Sequence, residues 1–436
     1  MSKKKTFSCS SLHHSVYLAP DELRHCCKRF FLNGKMKGDV KIFKVKNNDD
    51  ITKNKILAEK KKLYDNINEG KKTPCTGCPH LTKDYWPELN KLELKTLSIE
   101  SHSLCNMKCS YCSEIYYGGL KANYDVKKIV EELSLANTSE DLQVSWGGGE
   151  PVLMDKFEKT FVELNEKLQP KINMIYSNST KYSLAIEKSL IAGKALMTTS
   201  IDAGTAETFK KVRGIRGINK VFQNLEKYYT AAKKGIIIKY ILTEENSNEY
   251  ELSNFIKLIE KHKLFDCSFQ ISSSYKDENL SDALSNSAIN LYFKLTKNNA
   301  ESVFFDYHLK PRLSNKLKEA ISTNKNINHL NFNNINKFDK QKNLNVIVWG
   351  AGETARQIIK SSSFFEDRKI KIAFFVDSDK SKIGKYIDNI EIKSPDKIKE
   401  YNYPIMLASS VYYKKILENL KNLGVPKNRI MSSLFI

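Results

Sequence analysis

The central part of the chain alternates short apolar runs with segments of helical periodicity. Six runs have the length of buried strands, at residues 94–100, 142–146, 171–177, 196–202, 235–243 and 266–272. Between them apolar residues recur every three or four positions, as at Val126, Ile129, Val130 and Leu133, and again at Val221, Phe222, Leu225 and Tyr229. Repeated strand–helix units predict a parallel sheet with right-handed crossovers, and six units predict a partial version of the eight-unit α/β barrel.

Other segments flank this barrel, which we expect at residues 94–299. Residues 1–93 are rich in cysteine, and residues 341–436 again alternate strands with helices. The stretch 300–340 is rich in Asn and Lys and has few apolar anchors, which is typical of a linker. The sequence therefore predicts an α/β protein with three folded parts and one linker.

Composition and charge narrow the classes of protein. With 41% apolar and 28% charged residues the chain is typical of a globular protein, and neither a signal peptide nor a run of about 18 apolar residues is evident. We therefore expect a cytosolic protein without a membrane span. The net charge of +21 favours an anionic ligand or an acidic partner, although many of the lysines can be a solvated surface. No RGG segment or aromatic RNP pattern points to nucleic acid.

Eight of the nine cysteines precede residue 113. In a reducing compartment, clustered thiols indicate metal ligands or redox groups rather than disulfides. The stretch CNMKCSYC places Cys105, Cys109 and Cys112 on one loop after the first predicted strand. Three thiolates can bind three irons of a [4Fe–4S] cluster and leave the fourth iron open to a ligand. Cys267, inside a predicted strand, is expected in the core.

A glycine-rich turn, WGGGEP, follows the second predicted strand and contains Gly147, Gly148, Gly149 and Glu150. The glycines remove side chains where a ligand approaches the backbone, and Glu150 can accept a hydrogen bond from an ammonium group. An ordinary turn before a helix is the simpler alternative. The position at the carboxyl end of a strand, where the sites of such folds lie, favours a ligand. A structural zinc site, with Cys75 and Cys78 joining two of the loop thiols, or isolated core thiols would not require this turn.

The segment CNMKCSYC resembles the CxxxCxxC signature of the radical S-adenosylmethionine (SAM) superfamily, including the aromatic Tyr111 before the last cysteine, and WGGGEP resembles its SAM-binding turn. The resemblance covers about residues 94–275. It implies an enzyme that binds SAM at a [4Fe–4S] cluster, cleaves it reductively to a 5′-deoxyadenosyl radical and abstracts hydrogen from a substrate. It also implies reduced flavodoxin or ferredoxin as the electron donor.

Polar residues also end the third and fourth predicted strands. Ser177 and Asn178 end the third, and Ser200 and Asp202 end the fourth, where their side chains are expected to reach the ribose or the methionine carboxylate of SAM. The segment SIDAGTAETFKKVRG is similar to the SPASM branch of the superfamily. That likeness implies a SAM contact for Ser200 and for Arg213, which suits a carboxylate. A surface arginine without a ligand is the alternative.

The segment 1–93 resembles the auxiliary iron–sulfur domain of the SPASM branch, which there usually follows the barrel. The resemblance implies a second [4Fe–4S] cluster held by Cys9, Cys26, Cys75 and Cys78, with Cys27 as the alternative to Cys26. Zinc is the alternative metal, because a C-x2-C unit suits either.

At the other end, NVIVWGAGETARQII predicts a buried strand, a glycine turn and a helix, and a second strand ends at Asp377. Gly350, Gly352 and Ala355 fit a dinucleotide-binding pattern with Asp377 as its acid. The segment resembles Rossmann-like modules of sugar-modifying acyltransferases and C-methyltransferases. It implies an anionic small-molecule substrate such as a nucleotide-linked sugar, although the module can also be a scaffold. Maturation of a ribosomal peptide and a non-catalytic metal-binding interaction protein are the alternative functions.

Overall fold

The computed structural model divides the chain into two units. The first comprises Met1–Cys267 and Ser273–Leu280, and the second comprises Ser268–Ser272 and Ser281–Ile436. The residues it describes are 4–112, 119–134, 136–275, 278–300, 302–306, 308–310, 312–313, 345–352, 355, 371–409 and 412–431. Within these ranges no helix has both the length and the apolar character needed to cross a membrane.

The first unit begins with short elements. These are β1 (Thr6–Ser8), α1 (Ser10–His14), β2 (Ser15–Leu18), β3 (Glu22–Arg24), β4 (Arg29–Leu32), β5 (Lys35–Gly38), β6 (Lys41–Lys44), α2 (Lys53–Asn68) and β7 (Thr82–Asp84). β1 pairs with β7, and β4 forms a hairpin with β5. β2 pairs in parallel with β8 (Glu93–Ile99), and β3 and β6 extend the same sheet in antiparallel fashion.

The boundary expected at residue 93 therefore lies inside one unit rather than between two. The physical reason is the backbone pairing of β2 with β8, because the N-terminal strands satisfy the hydrogen bonds of what would otherwise be the first edge of the barrel sheet. The N-terminal segment is thus an extension of the barrel sheet.

The strands and helices expected for the barrel follow in order. They are α3 (Val126–Ser134), β9 (Asn137–Trp146), α4 (Phe157–Leu168), β10 (Ile172–Tyr176), α5 (Leu184–Ile191), β11 (Ala195–Ser200), α6 (Ala206–Arg213), α7 (Ile218–Ala232), β12 (Ile236–Leu242) and α8 (Glu249–Lys261). β8 to β12 lie side by side in chain order, with parallel pairing from β8 through β12. The expected apolar helix faces are buried, except that Val126 and Tyr229 are half-buried and Tyr228 is buried in α7.

The two faces of this sheet differ in chemistry. Trp146 packs on Phe157 and Phe161 of α4, with ring centroids 5.8 and 5.0 Å apart. Ser145 precedes Trp146 in the strand and so lies on the opposite face. Its cross-strand partners there are Ser98 and Met174. One face is therefore apolar and covered by helices, whereas the other carries polar residues that continue to the carboxyl ends of the strands.

The second unit contains β13 (Ser268–Ser273), α9 (Asp282–Lys297) and β14 (Ser302–Phe305), in which β13 and β14 pair in parallel. All four residues of β14 are buried, so the linker expected at 300–340 begins with a core strand because VFF supplies a continuous apolar run. Residues 314–344, the remainder of that expected linker, lie outside the described residues. Cys267, 3% exposed, immediately precedes β13 and is a core residue as expected.

The C-terminal part of this unit is a five-stranded sheet. It is built from β15 (Asn345–Trp349), β16 (Lys371–Val376), β17 (Tyr386–Ile387), β18 (Ile390–Lys393) and β19 (Ile405–Leu407), and α10 (Tyr413–Asn422) follows. Its four parallel strands lie in the order β18-β16-β15-β19, which is the order third, second, first, fourth of a doubly wound nucleotide-binding sheet. Apolar clusters cover both of its faces, as parallel sheets require.

Candidate active site

The glycine turn holds one side of the cysteine loop. The backbone N–H of Glu150 donates to the Leu104 carbonyl at 2.7 Å, and the N–H of Gly149 donates to the His102 carbonyl at 3.1 Å. A Cβ on Gly149 would lie 2.0 Å from the Leu104 oxygen, and one on Gly148 would lie 2.5 Å from the His102 oxygen. Glycine is therefore required here because the backbone of the cysteine loop lies so close. This reason differs from the one expected from the sequence, which was the approach of a ligand.

The end of α6 holds the other side of the loop. The backbone N–H of Lys108 donates to the Arg213 carbonyl at 3.2 Å, and that of Ser110 donates to the Val212 carbonyl at 2.9 Å. Gly214 has a φ of 78° and approaches the Lys108 carbonyl, which a Cβ would meet at 2.5 Å. The loop is thus fixed between two backbone segments that follow different strands.

The three loop thiols influence one another. Burial raises the pKa values of Cys105 and Cys109, and the negative charge of Cys112 raises that of Cys105 further. The Cys105 sulfur accepts a hydrogen bond from the Met107 N–H at 3.4 Å and one from the Asn178 Nδ2 at 3.9 Å. Gathered thiols with N–H donors aimed at a sulfur fit the donor set of an iron–sulfur cluster.

Glu150 is buried, at 2% exposure, directly beside this loop. Its Oε1 accepts from Ser177 Oγ at 2.8 Å and from the Val152 N–H at 3.3 Å, and its Oε2 accepts from the Asn178 N–H at 2.6 Å. Burial raises the pKa of Glu150 to about 6, and these hydrogen bonds oppose that increase. Glu150 therefore connects the end of β10, through its carboxylate, with the cysteine loop, through its backbone N–H.

Asn178 extends this connection to the loop. Its Nδ2 donates to Asn106 Oδ1 at 2.8 Å, and its Oδ1 accepts from Thr180 Oγ1 at 2.6 Å. Asn106 in turn donates to Thr180 Oγ1 at 2.8 Å. Asn178 is thus placed at the cysteine loop and Ser177 at Glu150, and the SAM contact expected of both stays a prediction.

Asp202 and Arg213 form a buried ion pair. Arg213 Nη1 lies 2.9 Å from Asp202 Oδ2, which also accepts from the Tyr111 hydroxyl at 2.5 Å. Asp202 Oδ1 accepts from the Ile241 N–H at 2.6 Å, and the Asp202 residue is 0% exposed. Both Asp202 oxygens therefore accept hydrogen bonds within the protein, and the SAM contact expected of this carboxylate stays a prediction.

Arg213 retains a buried nitrogen donor without a partner among the described residues. Its Nη1 bonds Asp202 and the Tyr111 hydroxyl, whereas its buried Nε has no hydrogen-bond partner among the described residues. Ser200, the last residue of β11, is half-buried and pairs in register with Lys239 of β12. Of the residues at and after the end of the fourth barrel strand that were expected to contact SAM, Ser200 and Arg213 keep polar atoms that can hydrogen-bond to a ligand.

The sequence profile of the Radical SAM superfamily matches residues 99–256, which include the cysteine loop, the glycine turn and the Asp202–Arg213 pair. This part of the chain is a radical SAM domain. The match confirms the superfamily expected from the sequence, and with it an enzyme domain that uses a [4Fe–4S] cluster and SAM. A second profile, C2185-like, N-terminal, matches residues 342–431. The SPASM-like character of residues 1–93 stays a prediction.

Among curated proteins, the chain is similar to GTP 3′,8-cyclase of Clostridium botulinum (strain Hall), with 24% identity over 179 residues, covering 39% of this chain and 54% of the cyclase. The chain thus spans about half the length of the curated relative it matches. Among solved structures, anSMEcpe with bound AdoMet and Cp18Cys peptide aligns at 21% identity over 53% of this chain and 66% of that one, with a TM-score of 0.38. SuiB of Streptococcus suis aligns at 15% identity over 51% of each chain, also with a TM-score of 0.38. Likeness this distant identifies no substrate.

The radical SAM domain has a group of polar residues that the sequence analysis missed, which comprises Tyr17, Cys27, Glu100 and Tyr176 and is called the polar wall below. Glu100 follows β8, and its carboxylate accepts a hydrogen bond from the Tyr17 hydroxyl of β2. Partial desolvation raises the pKa values of Cys27, to about 11, and of Tyr176, to about 12, although part of each residue is exposed to solvent, and the Glu100 charge raises both further. Tyr176 ends β10 and is 47% exposed, so the wall reaches solvent at the carboxyl ends of the strands. An acidic residue directly after the first strand was the available signal.

The N-terminal segment brings four of its thiols together. Burial raises the pKa of Cys9 to about 11, and the charges of Cys26 and Cys78 raise it further. Burial likewise raises the pKa of Cys75 to about 12, with further contributions from the other three. For Cys27, in contrast, desolvation is the largest cause of the raised pKa, and the charge of Glu100 is the next largest.

These four thiols are the ones that the sequence analysis grouped as cluster ligands. In the described part of the chain, no three His, Cys, Asp or Glu side chains are gathered as ligands of a single metal ion. A cubane makes a different demand, because each thiolate binds its own iron.

In the C-terminal sheet the expected nucleotide turn is tied to its acid. Gly350 has a φ of 109°, and the N–H of Ala351 donates to Asp377 Oδ2 at 2.8 Å. Asp377 Oδ1 accepts from the Asp379 N–H at 2.9 Å, and Lys382 Nζ lies 3.1 Å from Oδ2. The acid expected to bind a ribose therefore already accepts three hydrogen bonds. Gly352 differs, because a Cβ there would meet none of the residues that the structure describes within 4 Å. Ala355 is buried.

Proposed function

We propose that this chain is a radical SAM enzyme acting on an anionic small molecule, with a nucleotide-linked sugar as the favoured class. The observation that carries the radical SAM part is the cysteine loop fixed between the glycine turn and α6, with Glu150 beside it. When bound, the cluster and SAM supply an electron transfer that yields methionine and a 5′-deoxyadenosyl radical, which abstracts a hydrogen atom from the substrate. The chain's own residues hold, orient and shield the reactants.

Cys105, Cys109 and Cys112 would hold three irons of the cluster, and the open fourth position would take SAM. Glu150 would receive the SAM ammonium group. A carboxylate offers about four acceptor sites, and three on Glu150 are already used by donors of the protein. Those donors fix the orientation of the fourth, and burial strengthens its attraction for a cation.

The methionine carboxylate of SAM would lie toward Arg213, whose free Nε is a donor without a partner among the described residues. Its guanidinium is already oriented by Asp202. Ser200 would contribute a hydroxyl from the end of β11. Tyr111 would contribute chiefly by holding this pair, because its hydroxyl is hydrogen-bonded to both Asp202 and Arg213. These assignments divide the polar ends of SAM between the glycine turn and α6.

The four N-terminal thiols would hold a second [4Fe–4S] cluster. The pKa values of Cys9, Cys75 and Cys78 rise through burial and through the charges of neighbouring thiols, so a metal that replaces the thiol protons would relieve both effects. Cys26 rather than Cys27 would be the fourth ligand, because the charge of Cys26 raises the pKa values of Cys9 and Cys75, whereas the pKa of Cys27 is itself raised by the charge of Glu100.

The first test counts iron and follows SAM cleavage after anaerobic reconstitution. Two cubanes predict about eight irons per chain, and changing Cys105, Cys109 and Cys112 to Ala should remove about half. Reduced parent protein should form 5′-deoxyadenosine, and Cys109→Ala should not. Cys267→Ala, a core thiol away from both groups, is the matched control and should keep the iron. Stoichiometric zinc with about four irons would contradict the second cluster.

The substrate class needs a separate test, for which Gly352 offers a clean probe. Because a Cβ there would meet none of the described residues within 4 Å, we expect Gly352→Val to leave the fold intact and to obstruct an approaching ligand. Binding of nucleotide sugars to the full-length chain should weaken in Gly352→Val, while SAM cleavage without substrate stays parental. No saturable binding by the parent would remove the sugar proposal, and a precursor-peptide gene beside this one would favour peptide maturation instead.

A further inference from the structure

Lys60 is a fully buried cation. It lies on α2 at 0% exposure, on the same helical face as the buried Ile56 one turn earlier. Its Nζ donates to the carbonyl oxygens of Leu12 at 2.9 Å and Ser15 at 2.7 Å, and the Ser11 oxygen lies at 3.5 Å. A buried ammonium group is strongly disfavoured unless negative charge compensates it.

Among the described residues, no carboxylate forms an ion pair with Lys60, and neutral carbonyl groups surround its Nζ. Burial lowers its pKa to about 7, and the groups that oppose this decrease, through the negative charge they carry when deprotonated, are Cys9 and Cys26. A direct structural connection supports this relation. Leu12 accepts from Lys60 through its carbonyl, and its N–H donates to the Cys9 sulfur at 3.4 Å.

One other nearby group is not a source of this positive charge and one is. His13 is buried, and burial lowers its pKa to about 4, with the charges of His14 and Lys60 as further causes, so its imidazole is neutral at pH 7. Lys28, which is half-buried, adds positive charge near Cys78, whose pKa it lowers. His13 is instead stacked on Trp86, with ring centroids 5.1 Å apart.

We infer that Lys60 is the built-in counter-charge of a metal–thiolate centre at Cys9, Cys26, Cys75 and Cys78, and that it raises the reduction potential of that centre. The inference rests on the second cluster of the proposed function. A [4Fe–4S] core of charge 2+ with four thiolates carries a net charge of about −2, which becomes −3 after one electron is added. A fixed positive charge nearby favours the state with more negative charge, which is the reduced one.

Lys60 also positions one ligand. Cys9 is the N-cap residue of α1, and Lys60 binds carbonyl groups at the end of the same short helix. Charge and positioning can be separated by substitution. Lys60→Gln keeps a hydrogen-bond donor and removes the charge, whereas Lys60→Met removes both at similar length. Lys61→Gln changes an exposed lysine of the same helix and is the matched control.

The experiment uses the full-length chain with Cys105, Cys109 and Cys112 changed to Ala, so that the N-terminal cluster is observed alone. Its reduction potential is measured by dithionite titration with redox mediators, followed by electron paramagnetic resonance. The charge role predicts a shift to lower potential in both Lys60→Gln and Lys60→Met, and none in Lys61→Gln. If Lys60→Gln keeps the parental potential, or both Lys60 variants do, the inference is overturned while the second cluster stands. Absence of any cluster, or zinc in its place, in the Lys60 parent overturns both.

A measurement on unsubstituted Lys60 covers the case in which the variants do not fold. Lysine labelled with 15N should give a weak magnetic coupling between its Nζ and the reduced cluster in pulsed electron paramagnetic resonance. The same signal should persist in Lys61→Gln, because that residue points to solvent. A reduced cluster without any coupled lysine nitrogen would show that Lys60 is not beside it and would refute the inference.

Discussion

Glu150 is expected to make the stability of the metal-free chain depend on pH in a specific window. Burial raises the pKa of Glu150 from 4.5 to about 6 in the folded state. Between these pH values the folded chain binds more protons than the unfolded one. The stabilising contribution is therefore fully present below about pH 4.5 and is lost as the pH rises through about 6. A difference of about 1.5 pKa units corresponds to about 2 kcal/mol of unfolding free energy.

The substitution Glu150→Gln tests this magnitude, because glutamine resembles the protonated carboxyl at every pH. Urea unfolding of parent and variant from about pH 4.5 to about pH 7 gives the difference in unfolding free energy, in which the other titrations cancel. The variant should gain about 2 kcal/mol on the parent across this window. Glu166→Gln, at an exposed position of α4, should show a flat difference. Parallel pH curves for parent and Glu150→Gln would refute the assignment of a desolvated carboxylate.

The same carboxylate gives a functional test in the reconstituted protein. If ionised Glu150 holds the SAM ammonium group, SAM affinity of the parent should fall as the pH is lowered from about 8 through about 6. Glu150→Gln should bind SAM more weakly by about 1.5 to 3 kcal/mol at pH 8 and lack this pH dependence. Equal affinity of the two proteins at pH 8, measured by equilibrium binding, would remove Glu150 from the SAM site even if the stability prediction holds.

Three further changes test the architecture around the loop. Gly149→Ala should displace the Leu104 carbonyl and remove about half of the reconstituted iron, measured by iron analysis, because its Cβ would lie 2.0 Å from that oxygen. Arg213→Met leaves the buried Asp202 carboxylate without its ion-pair partner, so it should lower the free energy of unfolding, measured in urea, by about 3 to 5 kcal/mol. If the double variant Arg213→Met, Asp202→Asn fully recovers this loss, the unpaired charge of Asp202 is its cause. Cys26→Ser should lose the N-terminal iron whereas its neighbour, changed as Cys27→Ser, should retain it; the reverse pattern would exchange their roles.

The parts of the site that the sequence predicted are those fixed by local spacing. The three loop cysteines recur at four- and three-residue steps, and the glycine turn follows a strand directly, so both can be located without knowing what lies next to them. Ser177 and Asn178 were found by the rule that polar residues at carboxyl strand ends face the site. The same rule applied to the first strand would have found Glu100, which precedes Cys105 by five residues.

The rule did not predict the partner of Asp202, for a physical reason. Asp202 lies two residues after the fourth strand, and its carboxylate pairs with Arg213, eleven residues further along the chain. That pairing depends on how α6 packs back on the sheet. Sequence patterns reveal that α6 is amphipathic, but not that its last residue is buried at the cysteine loop.

Long-range pairing explains the other differences. Nothing in SVYL indicates that β2 pairs in parallel with β8, more than seventy residues later. The sequence therefore predicts a separate domain for the N-terminal segment. Lys60 belongs to the run EKKKL and reads as a solvated lysine. Its spacing of four residues from Ile56 placed it on the apolar helix face, a signal that the charge of the side chain obscured.

The N-terminal extension gives the two proposed metal sites a common support. Cys26 and Cys27 are consecutive in the sequence. The charge of Cys26 nevertheless raises the pKa values of Cys9 and Cys75, whereas the pKa of Cys27 is raised by Glu100 on the polar wall of the barrel sheet. Glu100 is also tied to β2 through Tyr17, and β2 directly follows α1, whose N-cap is Cys9. The proposed cluster ligand Cys9 and the polar wall are therefore joined by one short stretch of backbone, and that stretch is fixed to the barrel sheet by the pairing of β2 with β8.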